Sequence, residues 1–413
     1  VEQWDALTAQ ELRARGSLKW TRFDGDMIGA FVAEMDFGTA PAVVSALHAA
    51  VDQAMFGYPP PVPAGELARA CAHWQRERYG WTVAPECVLP VSDVLTALEL
   101  ALRHFDDARP RQRHPGPPGG RPLIVPTPAY MPFLTLPPLH GRKVIEVPMI
   151  PADGAGGRRR YTLDLDGIDR AFRDGGHLLV LCNPANPVGR VFTAEELAEV
   201  TVVVDRHGGR VFADEVHAPL TYPGQRHLPY ASTSPTAAAH TVTATSASKA
   251  WNLPGLKCAQ VIVDPAELEA WQRVAAPAPV TASTLGMVAN TAAYRAGAAW
   301  LDSVLGYLDR NRRALAELLE THLPEVGYRP PEGTYLAWLD CRWLAGGAGP
   351  LDAYFQQRAG VAVVDGVHCG EAGRGHVRLN FATPLPILER IVTRMAHAAT
   401  VHGEDVDMSR SGA

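Results

Sequence analysis

The sequence predicts an α/β protein in two lobes. The larger lobe is built on a mostly parallel sheet flanked by helices, and the smaller α+β lobe is assembled from both chain ends. Three observations carry this. A chain of 413 residues exceeds what one ordinary core organises. Between about 51 and 285, strand-like and helix-like runs alternate, the pattern of strands joined by helical crossovers. Several short apolar runs stop abruptly at polar or Pro/Gly-rich turns, which is where open α/β sheets place ligand chemistry. The chain is 47% apolar and 20% charged, so it can fill a core of that size.

In chain order, residues 1–50 read as an N-terminal arm and the first part of the small lobe. Residues 51–285 form the large lobe, and 286–413 a linking helix and the C-terminal small lobe. The run from Val94 through Leu98 to Leu102 opens a helix. Leu123-Ile124-Val125 is a buried-strand run stopped by Pro126-Thr127-Pro128. Residues 109–121 and 151–160 are rich in Pro, Gly and Arg and predict irregular surface loops. Leu178-Leu179-Val180-Leu181-Cys182 and Arg210-Val211-Phe212 are two more strands. Asn290 to Tyr294 lies in a long helical pattern, and the polar tail after Val401 is expected to fray.

Charge and cysteine usage narrow the function classes. The net charge of −6 carries no broad basic excess, so nucleic acid is not an expected partner. Arg158-Arg159-Arg160 is a short run in a Gly-rich stretch and reads as solvated surface. The six cysteines (Cys71, Cys87, Cys182, Cys258, Cys341 and Cys369) are scattered without a CxxC, which suits reduced thiols in the cytoplasm. No apolar run is long enough to span a bilayer, so no membrane partner is expected.

The chemistry concentrates in a few segments. In Thr245-Ser246-Ala247-Ser248-Lys249-Ala250-Trp251-Asn252, one lysine lies among small hydroxyl residues, with Lys257 eight positions on. A lysine in a small, partly apolar bed can lose its proton and attack a carbonyl carbon, while hydroxyls and a second cation suit a phosphate. That combination describes a lysine holding pyridoxal 5′-phosphate (PLP) as a Schiff base. From this segment alone, a surface lysine after a Ser/Thr-rich turn reads equally well. Asp214, in Ala213-Asp214-Glu215-Val216-His217, would end a strand and could hold a protonated pyridine nitrogen. The alternative for Asp214 and His217 is a metal-ligand pair, although no other His/Cys cluster has ligand spacing and no metal is expected. Asn183-Pro184-Ala185-Asn186-Pro187-Val188-Gly189-Arg190 makes a rigid turn whose asparagine can donate to the ring's phenolic oxygen.

Taken in order, Asn-Pro-x-Asn-Pro-x-Gly-Arg, Asp-Glu-x-His, Ser-x-Ser-Lys and Arg-Leu-Asn-Phe resemble the fold-type I PLP-dependent enzymes of the class I/II aminotransferase superfamily. The nearest resemblance is to their C–S lyase branch, the cystathionine β-lyase (MalY/PatB-like) group. Val32-Ala33-Glu34-Met35-Asp36-Phe37, Glu332-Gly333-Thr334-Tyr335 and Arg378-Leu379-Asn380-Phe381 add to it, and the likeness spans roughly residues 20–398. The resemblance implies the remaining site residues. Lys249 is catalytic. Tyr130 stacks on the cofactor ring, and Asn186, Asp214 and His217 lie around it. Phosphate sits at the helix start near Asp93, with Val94 and Leu95 as backbone donors and Ser246 and Lys257 completing the cup. The family often has glycine where this chain has Asp93, so Asp93 is expected to cap the helix with its side chain turned away. Tyr58 is expected to reach the phosphate of a neighbouring subunit, which implies a homodimer with shared sites. Arg378 anchors the substrate carboxylate through paired hydrogen bonds. Asp36 and Tyr335, with Met35, Phe37 and Trp251, are candidates around the substrate.

The activity implied is β-elimination from a cysteine S-conjugate such as cystathionine, giving thiol, pyruvate and ammonia. Two alternatives stay open. One is an aminotransferase or specialised-metabolism enzyme using the same residues. The other is a non-catalytic PLP-sensing regulator, although residues 1–50 are short and not basic enough for a DNA-binding module.

Overall fold

The computed structural model describes residues 2–107, 120–152, 160–275, 281–344 and 349–411. Among the described residues, seven strands form the large sheet. In spatial order they are Val88–Val91, Ala259–Val263, Thr241–Thr245, Arg210–Asp214, Leu178–Cys182, Leu123–Thr127 and Val144–Pro148. Ala259–Val263 runs antiparallel to both of its neighbours, and the other neighbouring pairs are parallel. The sheet is mixed and predominantly parallel, and helices cover both faces.

The period-2 geometry of a strand explains how these runs bury. In Leu178–Cys182, Leu178 and Val180 face one layer with Phe212, Leu98, Phe105 and Trp271. Leu179 and Leu181 face the other, with Ile124, Phe172, Leu197 and Val204. Both faces are apolar because both are covered, so the runs read as continuous hydrophobics. The Ala194–Arg206 helix on the second face starts with a capping box, Thr193 accepting from the Glu196 N–H while Glu196 accepts from the Thr193 N–H.

The smaller lobe holds a four-stranded antiparallel sheet ordered Gly327–Tyr328, Leu336–Asp340, His376–Asn380 and Val364–Asp365. The helices Ala298–His322, Leu351–Ala359 and Leu385–Ser411 pack on or beside it. Ile28–Gly29, from the start of the chain, pairs in parallel with Val361–Ala362. Both chain ends therefore build this lobe, and residues 30–38 cross from it toward the large sheet.

Three expectations need correction. The irregular loop expected at 151–160 begins and ends in strand: Ile150–Ala152 pairs with Arg160–Thr162 across residues outside the described set. Arg160 is not simply solvated surface, because its Nε donates to Glu332 at 2.9 Å. The tail expected to fray after Val401 continues the last helix to Ser411. The 109–121 loop lies almost wholly outside the described residues. Among the described residues, no helix is long and apolar enough to cross a membrane.

Candidate active site

The carboxyl ends of the parallel strands open onto a cavity of about 360 Å³ between the lobes. Lys249 reaches it from the turn after Thr241–Thr245. That turn is tied on each side. Ser246 Oγ donates to the Cys258 carbonyl at 2.7 Å and accepts the Ser248 N–H at 2.9 Å. Asn290 accepts the Ala247 N–H at 3.0 Å. The Lys249 amine donates to the Ala33 carbonyl at 3.1 Å. Burial, then the nearby Arg378 charge, lowers its pKa to about 8, so the free-amine fraction near neutrality is far larger than for an ordinary lysine.

Asp214 is the last residue of its strand and lies beside Cys182, its register partner. The residue is 3% exposed, and among the described residues its carboxylate accepts only the Val216 N–H at 3.1 Å and the Cys182 thiol at 3.8 Å. Burial pushes its pKa up to about 6. A carboxylate held this way is stabilised by a protonated nitrogen placed against it. His217, one turn on, is buried, and desolvation lowers its pKa to about 3, so the ring is neutral. Its Nδ1 has no protein partner among the described residues, and it lines the cavity. Tyr130 lines the same cavity, braced edge-on by Phe133 at 5.4 Å.

The Val94–Asp107 helix presents its amino end to the cavity, where Val94 and Leu95 line it together with Ser246. The first N–H groups of a helix have no partner within the helix and favour an anion. Asp93 caps this end, Oδ1 accepting the Thr96 N–H at 2.9 Å, but it is not turned away as expected, because it lines the cavity. Its other oxygen takes Lys257 at 3.0 Å. Lys257 lines the cavity and is already paired with Asp93, so an anion here would share it with that carboxylate.

Arg378 is the central residue of the His376–Asn380 strand and is buried, not a surface arginine ahead of a strand. Its two terminal nitrogens donate to the Phe31 carbonyl at 2.8 Å and to Asn186 Oδ1 at 3.2 Å. Its Nε has no partner among the described residues. With Oδ1 toward Arg378, Asn186 keeps Nδ2 as its donor. The turn that carries it has cis peptides before Pro184 and Pro187, and Gly189 has φ +68°. A Cβ on Gly189 would lie 2.3 Å from Pro331, so the close approach requires glycine.

Six expected residues lie away from this cavity. Asp36 is buried in an ion pair with Lys19 at 2.9 Å and accepts the Trp20 indole N–H at 2.8 Å, so it fastens the arm to the small lobe. Tyr335 is fully buried and holds the Ala33 carbonyl at 2.8 Å from behind the cavity wall. Met35 and Phe37 are core side chains, and Trp251 packs on Trp74 and Tyr294. Tyr58 is 98% exposed and touches nothing in its own cavity. The structure instead brings in Phe31, Val32, Ala33, Met131 and Val364. Apolar side chains carry no chemical pattern, although Val32 and Ala33 lay in a quoted segment and Met131 follows Tyr130. Asn380, in the quoted Arg-Leu-Asn-Phe run, also went unassigned. It donates to the Val32 and Glu34 carbonyls at 2.7 and 2.6 Å and pins the segment that walls the cavity.

PLP fits the groups present: an amine of lowered pKa, an under-partnered buried carboxylate, an aromatic wall, a neutral imidazole with an orphaned nitrogen, and a helix amino end with hydroxyls. Among the described residues, no cluster of three His, Cys, Asp or Glu side chains could hold a metal.

Comparisons with known proteins agree with this chemistry. The profile of the family described as aminotransferase class I and II matches residues 26–395. The chain is 36% identical to the cystathionine β-lyase of Corynebacterium glutamicum, over 94% of this chain and 98% of that one. It is 32% identical to the cystathionine β-lyase PatB of Bacillus subtilis, covering 92% and 96%. Cystalysin from Treponema denticola, solved with PLP, superposes with a TM-score of 0.84 at 27% identity, over 95% and 97% of the two chains.

Proposed function

The chain belongs to the class I and II aminotransferase family, and from that premise we propose that it is a PLP-dependent carbon–sulfur β-lyase of the cystathionine β-lyase kind. The reaction takes a cysteine S-conjugate and water to thiol, pyruvate and ammonia. The observation that carries the reading is the meeting of Lys249, Asp214 and Arg378 around one cavity in a chain whose relatives bear that name.

When bound, PLP supplies an electron sink for the pair left on Cα after proton loss. Asp214 would take the ring nitrogen and keep its proton in place, Asn186 and His217 would bind the ring's other polar groups, and Tyr130 would pack against the ring. Val94, Leu95, Ser246 and Lys257 would hold the phosphate. Arg378 binds the substrate carboxylate with two parallel hydrogen bonds and fixes the orientation of Cα. Lys249 Nζ, kept partly unprotonated by burial, takes the Cα proton. Between them, Arg378 and Lys249 set which bond on Cα breaks.

Exposed Phe56, Tyr58 and Val62 support a homodimer in which Tyr58 reaches the neighbouring site, and the scattered free cysteines support a cytoplasmic enzyme. The test is a product assay. PLP-loaded protein is mixed with cystathionine or S-methylcysteine without a keto acid, and thiol, pyruvate and ammonia are followed together. Equal release of all three is expected, and Lys249→Ala should lose both turnover and the visible absorbance of bound PLP. Amino transfer that requires a keto acid and releases no thiol would replace the lyase reading with an aminotransferase.

A further inference from the structure

Resting on the lyase reading, we infer that this site selects cysteine S-conjugates whose S-substituent is apolar, in preference to the doubly charged arm of cystathionine. The argument starts from Arg378. In an amino acid, the carboxylate carbon and Cβ are both bonded to Cα. The cavity that holds the carboxylate at Arg378 is therefore also the one that the group carried on Cβ enters, and the side chains lining it around Arg378 lie within that group's reach.

Around Arg378 the structure places a collar of apolar side chains. Met131 Sδ lies 3.7 Å from one guanidinium nitrogen. Val364 stands directly opposite Arg378 across the antiparallel pair, so the two side chains share a face. Phe31 gives its carbonyl to the guanidinium, and its ring is braced edge-on by Phe23 at 5.5 Å. All three line the cavity and remain partly exposed, so their apolar surface is available to a ligand.

The cations of the cavity are already engaged. Among the described residues, its cations are Lys249, Lys257 and Arg378. Lys249 is the reacting amine, Lys257 is held by Asp93 at the phosphate end, and Arg378 takes the one carboxylate common to every amino acid. The second ammonium and carboxylate of cystathionine would lie against a thioether, an isopropyl group and a phenyl ring. Burying charge without a partner is strongly unfavourable. An alkyl or aryl arm instead gains roughly fourfold in affinity per buried methylene, and Met131 adds a sulfur–aromatic contact for an aryl arm.

The test compares kcat/KM for cystathionine and S-butylcysteine on the PLP-loaded enzyme by pyruvate release. Both expel an alkyl thiolate, and the more acidic homocysteine thiol is the better leaving group, so a lead for S-butylcysteine cannot come from leaving-group chemistry. S-butylcysteine is expected to lead by about tenfold or more, and Val364→Lys to shift the ratio toward cystathionine by a similar factor. Cystathionine equal or better on the wild type would overturn the inference and leave the lyase reading standing. A counter-cation supplied by a second copy of the chain would show itself in that way. A ratio unmoved by Val364→Lys, with Met131→Lys giving the same result, would also overturn it. Pyruvate from neither substrate would instead remove the lyase reading itself.

Discussion

Two aspartates lie at nearly the same depth, Asp36 at 4% exposure and Asp214 at 3%, and their surroundings differ sharply. Asp36 sits in the crossing segment between the lobes. One of its oxygens takes the Lys19 ammonium at 2.9 Å and the other the Trp20 indole at 2.8 Å. Lys19 in turn donates to the Ala382 carbonyl at 3.1 Å, so the pair is satisfied from every side. Asp214 ends a central strand with one backbone N–H and a weak thiol contact. Burial without enough partners raises a carboxylic acid's pKa, and here it rises to about 6. Depth alone does not mark a functional carboxylate. A buried charge the protein has neutralised holds structure together, while one it has left short of partners, at the wall of a cavity, awaits a ligand.

The largest effect that sharpens this contrast is expected from Asp36→Ala. It leaves Lys19 buried without its counter-charge and should cost roughly 3–5 kcal/mol of stability, read as a lower urea midpoint. Turnover per folded molecule at low urea should hold, and a collapse in activity without a stability loss would break the comparison. Asp214→Asn should do the reverse. It should lower kcat by about 10²–10³-fold while the urea midpoint of the PLP-free protein stays unchanged or rises. Loss of stability matching that of Asp36→Ala would show that the two sites are not different in kind. Next in size is Arg378→Lys, which keeps the charge but loses the paired hydrogen bonds. It should raise KM roughly 10–100-fold, the ~1.5–3 kcal/mol typical of a hydrogen bond to a charged group. The smallest effect is on pH. Lys249 attacks as the free amine, and its pKa is lowered to about 8, so the unprotonated fraction grows as pH rises through that value. PLP uptake by the cofactor-free protein should therefore quicken between pH 7 and 9 and level above it, followed by the growth of visible absorbance. An ordinary lysine would still be climbing at pH 10.

The same contrast explains how far the sequence could be read. Asp214 stood out because it ended an apolar run in a chemically marked segment, Ala213-Asp214-Glu215-Val216-His217. Asp36 also lay in a marked segment, yet nothing local showed that Lys19, 17 positions earlier, would neutralise it. The collar of Phe31, Met131 and Val364 was not legible as a site. Three apolar residues from distant parts of the chain look like any core until the fold gathers them around Arg378. Lys257 was expected at the phosphate and lines the cavity, but its partner Asp93 lies 164 positions away, and only the packed structure pairs them.

By itself the sequence determined the layered α/β organisation, because strand and helix periodicity, punctuated by Pro and Gly, is a local property of the chain. It also determined the segments that carry chemistry, because an amine, a carboxylate or a guanidinium must be spelled out by residue type. The tertiary structure alone decided which of those groups remain open to a ligand and which are consumed by one another. That choice depends on desolvation and on partners tens to hundreds of residues apart, as Asp36 with Lys19, Tyr335 with Ala33 and Arg378 with Phe31 show. Those quantities exist only once the chain has folded.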